Sequence, residues 1–329
     1  MAGSNFPTER LTKEALAAVA ARENVTDIYY VACGGSHALM MPNQHAVDRL
    51  GRNITAHAMN SAEFKSRNPA RLGKDSVVIL CSLSGNTPET AAAAEFARAA
   101  GALTIGLTGG VDSPLDKAAE HTIYYAYEPL SFKLDHAGAV LANLTFGILE
   151  QRDGNEIGRE VLAAMAKMPE LVDKAVASHA DRIHAFAEAH KREKVIYTMA
   201  SGSNYSHAYA YAICIFQEMQ WMHSAAIHSN EYFHGPFEIT DFDVPFVILR
   251  SIGSTKDVDD RAIAFAKRFS KMVTVLDSEE LGLGVISPGI VEFVEPFMFN
   301  AIMRHYSQRL AFTRGHPLTV RRYMWQIDY

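Results

Sequence analysis

Two loops carry side chains suited to holding an anion. The richer one is Ser82-Leu-Ser-Gly-Asn-Thr87, followed by Pro88 and Glu89. Three hydroxyls (Ser82, Ser84, Thr87), the amide of Asn86 and a glycine crowd into these six residues. Thr87 suits a helix cap and Pro88 the first helical position, but a cap needs one hydroxyl, not three. A phosphate here would receive hydroxyl and backbone donors without any charged side chain. The second loop, Cys33-Gly-Gly-Ser36, adds a hydroxyl at Ser36. Gly34 and Gly35 there let the backbone approach an anion closely, although a tight turn alone would use the same residues. Near the C-terminus Arg321-Arg322 could clamp a carboxylate or a phosphate, or stand as a solvated pair. His223 and His228 lack the i, i+4 spacing of a helical metal site, so no metal is expected.

The elements that must position these loops are short apolar runs alternating with helical patterns. Ile28–Ala32, Val77–Leu80, Leu103–Leu107 and Thr122–Ala126 read as buried strands. Alanine-rich segments such as Pro88–Ala100 read as the helices between them. This alternation predicts an α/β fold with parallel strands and crossover helices. The second half repeats the plan with strands at Val195–Met199, Val247–Leu249 and Met272–Leu276. VACGGS from Val31 aligns with TMASGS from Thr198 at an offset of 167, and VILCSLSG from Val78 with VILRSIGS from Val247 at 169. Two loops matching at nearly one offset indicate duplication. Between the halves, Glu156–Glu193 reads as helix broken or kinked at Pro169, giving domains 1–155 and 156–329. The second-half counterpart of the phosphate loop, Ser251–Thr255, has lost the compact SxSGNT form, so one phosphate site per chain is expected, in the first half.

Composition narrows the function class. With 48% hydrophobic and 21% charged residues, the 329-residue chain has a globular balance. Its net charge of −6 argues against a nucleic-acid partner. The three cysteines, Cys33, Cys81 and Cys214, are scattered, which fits neither a disulfide framework nor a CxxC site and suits a reducing cytoplasm. The N-terminus has no apolar leader core, and the apolar stretch around Val285–Met303 is broken by Pro288, Glu292, Glu295, Pro296 and Asn300. No membrane span is predicted, and the expected location is cytoplasmic.

At SLSGNT and CGGS, and along IGLTGGVDSPLDKAAEHTI from Ile105, the sequence resembles the sugar isomerase (SIS) domain family of phosphosugar-binding proteins. The likeness spans nearly the whole chain as two tandem SIS domains, each a parallel-sheet three-layer α/β/α sandwich, as in the isomerase half of glucosamine-6-phosphate synthase. QEMQW, NEYFHGPFEIT and the tail HPLTVRRYMWQIDY resemble most the fructosamine-6-phosphate deglycases, above all the fructose-asparagine type. Asn230 stands where that family's GE-x-x-HGP segment usually has glycine, and Ile215 where the synthase has a lysine, so lysine-assisted chemistry is not carried over.

The resemblance implies an acid–base pair, Glu218 and, sixteen residues later, His234. It implies cleavage of a 6-phosphofructosyl amino acid to glucose 6-phosphate and a free amino acid. Glu218 is the expected base near C1, and His234 the acid that opens the ring or shuttles the proton. Burial among Ile213, Ile215, Phe216, Met219 and Trp221 is expected to raise the Glu218 pKa. Gly35, Ser36, Ser82, Ser84, Asn86 and Thr87 would bind the phosphosugar, with Arg321 and Arg322 holding a substrate anion. The roles of Glu231 and Lys133 stay open. No cofactor is expected, since no electrons move, and the likeness implies a homodimer. Two other readings share the phosphate loop. One is an isomerase or amino-sugar-phosphate deaminase using the same pair, and the other is a sugar-phosphate sensor without chemistry. The sensor has no need of Glu218 and His234.

Overall fold

The apolar runs form parallel strands in the computed structural model, which describes residues 6–328. The first five residues of the N-terminal stretch, and Tyr329 at the end of the tail motif, lie outside the described residues. The chain divides into two compact units. The first runs to Glu128 and includes Lys133–Ala166; the second takes in Pro129–Phe132 and the chain from Lys167 on.

In the first unit β1 (Asp27–Ala32), β2 (Thr55–Asn60), β3 (Ser76–Cys81), β4 (Leu103–Thr108) and β5 (His121–Tyr124) make one sheet, ordered β2-β1-β3-β4-β5. β1, β3 and β4 are buried along their whole length, as strands covered on both faces must be. Helices Ser61–Arg67, Pro88–Ala99 and Pro114–Ala118 cover one face through Phe64, Ala93, Ala94, Ala97, Leu115 and Ala118. Gly34–Leu50 and Ala137–Asp153 pack together in the other layer. Edge strand β2 (Thr-Ala-His-Ala-Met-Asn) does not stand out in the sequence pattern, because its two fully buried positions are only Ala56 and Met59.

The second unit repeats this order with four strands among its described residues. β6 (Tyr197–Ala200), β7 (Ala226–His228), β8 (Phe246–Arg250) and β9 (Val273–Asp277) run parallel as β7-β6-β8-β9. The turns after β1 and β6 each place a glycine, Gly34 and Gly202, at φ 54°. These glycines are one residue further apart than the offset of 167 suggests. Side chains alternate across the sheet. Met199, Ile227, Phe246 and Ile248 face a core with Tyr232 and the helix Lys256–Phe269. Thr198, one position along, faces the other way and donates its hydroxyl proton to Ala208 O in the helix Tyr205–Ala210. On that side lies the long helix Val291–Arg314. The segment read as one helix broken at Pro169 is three helices, Ile157–Met165, Met168–Ser178 and Ala180–His190, with Pro169 in the first turn of the second. No helix among the described residues is long and apolar enough to cross a membrane.

Candidate active site

The strand order reverses between β1 and β3, and in open parallel sheets ligands bind beyond the carboxyl ends of the strands at such a point. Ala32 pairs with Cys81, so CGGS and SLSGNT leave the sheet side by side at that crevice. Helix Gly34–Leu50 starts from Cys33, and helix Pro88–Ala99 from Thr87. Neither cap residue bonds its helix through its side chain. Thr87 instead shares a 2.9 Å hydrogen bond with Ser82, so the hydroxyl expected to cap the helix is turned into the loop. First-turn N–H groups and a positive dipole end therefore face the crevice from both helices.

The loop is braced from behind. Gly85 N donates to Ser82 O at 3.0 Å, Asn86 N to Ser84 Oγ at 3.2 Å and Leu115 N to Gly85 O at 3.1 Å. Gly85 has φ 69°, and a Cβ on it would lie 2.0 Å from Ser113 Oγ. Only glycine fits that position. Ser82 is buried, while Ser84 and Asn86 are exposed, so the loop presents its outer donors to solvent. Gly35 is exposed and Ser36 half-buried on the neighbouring loop.

The matching crevice of the second unit, between β6 and β8, is already filled by carboxylates. Glu295 is fully buried and accepts from Asn204 Nδ2 (2.7 Å), Ser251 Oγ (2.7 Å) and Ile252 N (2.6 Å). Asp259 accepts from Ser201 Oγ, Ser229 Oγ and Ser251 N, and Glu292 from Ser254 Oγ. The hydroxyl-rich turns that survive from the duplication are spent on the chain's own acids. Burial raises the pKa of both Glu295 and Asp259, against the hydrogen bonds that favour their ionised forms. In the sequence, Glu292 and Glu295 read only as interruptions of an apolar run. Their i, i+3 spacing inside that run is the signal that could have found them.

Glu218 lies near the end of a π-helical run, Tyr211–Met219, that continues the helix Tyr205–Ala210. Such helices are uncommon and concentrate at functional sites. The Glu218 side chain is 22% exposed, and Arg321 Nη2 sits 2.7 Å from its Oε1. Burial raises the Glu218 pKa, while Arg321 and Arg304 pull it down. Beyond it, Trp221 holds φ 55°, a strained value for a non-glycine residue. Trp221 meets the His316 ring at 4.5 Å, and the Arg322 guanidinium lies 4.3 Å from its ring centre. Arg322 is exposed, and among the described residues it meets the Trp221 indole rather than a carboxylate.

His234 is exposed and ends the short turn Glu231–His234, before Gly235 at φ 140°. Its neighbours Tyr232 and Phe233 pack on Phe265 of the helix Lys256–Phe269. Glu218 belongs to the opposite layer, where Arg304 of the helix Val291–Arg314 reaches Met219. Within one chain the sheet β7-β6-β8-β9 therefore stands between Glu218 and His234. Right-handed crossovers require this, because the chain moves one way from β6 to β7 and the other way from β7 to β8. Lys133 is paired with Glu128 on an exposed loop, and Glu231 is exposed.

The SIS domain model matches residues 23–146. Over 307 residues the chain is 42% identical to fructosamine deglycase FrlB of Bacillus subtilis (strain 168), covering 93% of this chain and 94% of that one. It is 29% identical to fructoselysine 6-phosphate deglycase of Escherichia coli (strain K12), covering 92% and 86%. A solved structure of a candidate phosphosugar isomerase from Bacillus subtilis superposes with a TM-score of 0.94 at 41% identity, covering 97% of each chain. The α/β architecture of both units and the full-length match to a deglycase agree, and the chain belongs to the double-SIS family of enzymes, on its fructosamine deglycase side.

Proposed function

We propose that the protein is a deglycase that converts a 6-phosphofructosyl amino acid and water into glucose 6-phosphate and the free amino acid. The observation that carries this reading is the pairing of a half-buried carboxylate, Glu218, with a guanidinium, Arg321, in an enzyme of this family. Such a site offers both a base and a holder for an amino acid's carboxylate. The SLSGNT and CGGS loops hold the phosphate. The C1–N bond of an Amadori compound does not hydrolyse directly. Glu218 takes a proton from C1, the C–H electron pair becomes the C1=C2 bond, and the C2 carbonyl oxygen gains a proton, giving an enaminol. Protonation at C2 then lets the nitrogen lone pair form a C1 iminium. Water adds at C1, and the amine leaves with a proton. His234 opens the sugar ring or carries the proton between oxygen and carbon.

The sheet between Glu218 and His234 favours a shared site, with the histidine supplied by a second copy of the chain in a homodimer. In that case Glu218→Gln and His234→Ala are each inactive alone. Dissociated and reassociated together, they recover up to about a quarter of the wild-type rate, because a hybrid dimer holds one intact pair. The assay is glucose 6-phosphate release from several 6-phosphofructosyl amino acids. Near-normal turnover by either single variant refutes the acid–base roles of the pair. Conversion of fructose 6-phosphate or an amino-sugar phosphate, with no release from any adduct, replaces the deglycase by an isomerase or deaminase.

A further inference from the structure

The candidate base is held by a charge from its own chain. The Arg321 side chain is only 8% exposed and reaches Glu218 through Nη2. Its Nη1 donates to Leu318 O at 2.8 Å and Val320 O at 2.9 Å. Its Nε is buried and has no partner, and the same holds for His316 Nε2 and Gln220 Oε1 close by. The segment is fixed there by Gln220 Nε2 donating to His316 O at 2.8 Å and Arg314 Nη2 donating to Gln220 O at 3.2 Å. The guanidinium thus spends one nitrogen of its fork on Glu218 and leaves the neighbouring buried Nε without a hydrogen-bond partner. A carboxylate gripped by both nitrogens of that edge is the stronger arrangement, and a substrate carboxylate can supply it.

We propose that Arg321 is a specificity switch: the α-carboxylate of the bound amino-acid adduct takes over the Nε–Nη2 edge and so frees Glu218 to act on C1. This inference rests on the deglycase reading. Only the nitrogen and the α-carbon separate C1 from the carboxylate carbon. A carboxylate on Arg321 therefore sets C1 beside the released Glu218 oxygen. The exchange replaces one ion pair by another, so the guanidinium stays paired while the half-buried Glu218 carboxylate loses its partner. It also strengthens the base, because a guanidinium neutralised by the substrate no longer stabilises the Glu218 anion. The charged and titratable groups around Glu218 are Arg321, Arg304 and Cys214. Neither Arg304 nor Cys214 provides an open fork in its place: Arg304 turns Nη1 to Met219 Sδ, and burial pushes the Cys214 thiol up to about 12. An adduct without a carboxylate binds through its phosphate but leaves the base held.

The test compares two adducts that differ in this group alone, 6-phosphofructosyl-alanine and 6-phosphofructosyl-ethylamine. With wild-type enzyme, kcat for the ethylamine adduct is expected to be lower by roughly 10- to 100-fold, the worth of one charge-assisted contact, with a smaller change in KM. C1 proton exchange in D2O, read by NMR on the wild type, falls by the same factor. In Arg321→Gln the ratio of the two kcat values collapses to within a few-fold, and Arg321→Lys, which keeps charge without the fork, lies between. Equal kcat and equal C1 exchange for both adducts in the wild type, or undiminished discrimination in a folded Arg321→Gln, overturns the switch and leaves the deglycase standing. Release of glucose 6-phosphate from neither adduct overturns the deglycase reading, and the switch with it.

Discussion

Replacing Glu295 by alanine tests whether the second unit's crevice is an anion site filled from within. The carboxylate accepts three buried donors, from Asn204, Ser251 and the Ile252 amide. Each donor left unpaired costs about 1–3 kcal/mol, so the gross loss is about 3–9 kcal/mol. Two effects return part of it: water can enter a polar hole of that size, and the desolvation cost of the buried charge disappears. A net loss of about 3 kcal/mol remains, which for a unit of this length lowers Tm by roughly 6–12 °C. Thermal unfolding is followed for wild type and Glu295→Ala with and without acetate or inorganic phosphate. The small anion is expected to restore several degrees in the variant and to leave this unit of the wild type unmoved, since its own carboxylate already occupies the place. Calorimetry with inorganic phosphate should find one site per chain in the wild type and a second, weaker one in the variant. A variant that melts within about 1 °C of wild type, or an anion response equal in both proteins, refutes the account.

Ser84 is the exposed hydroxyl of the proposed phosphate loop, so Ser84→Ala should raise KM for a phosphosugar roughly 10-fold or more at nearly constant Tm, and a change in Tm without one in KM would make the loop structural instead. Among the buried imidazoles of the second unit, His190 and His207 are each depressed to about 4 by burial. The unfolded chain binds their protons from about pH 6.5 downward and the folded chain only near 4, so the unfolded state holds more protons in that window and stability falls as pH falls. Each contributes up to roughly 3 kcal/mol of loss by pH 4. Urea midpoints taken from pH 7 to 4.5 should show this slope, and the double variant His190→Gln, His207→Gln should flatten it; an unchanged slope assigns the acid sensitivity to other groups.

The features that the sequence made plain are those whose physics is local. A buried parallel strand must be a short apolar run, and a hydroxyl cluster before Pro88 must open a helix, so β1, β3, β4, β6, β8, β9 and the SLSGNT loop could be placed from neighbouring residues alone. β7 has three residues and β2 only two fully buried ones, too little apolar signal for either to stand out. The short β7 also bears on Glu218 and His234. Sixteen residues apart in the chain suggests a pair, but β7 lies between them, and a chain that enters an edge strand from one face of a parallel sheet leaves it onto the other. Within one chain, handedness rather than spacing decides which side chains can meet. Duplication shows a related limit. The serines after β6 and β8 look like a worn phosphate loop, yet they keep their donors and have exchanged a ligand for Glu295, whose helix starts some forty residues after β8. A loop's own sequence can announce that it wants an anion, but whether that anion comes from solution or from the chain is settled by a residue elsewhere, and in the first unit Ser82 and Thr87 bond to each other.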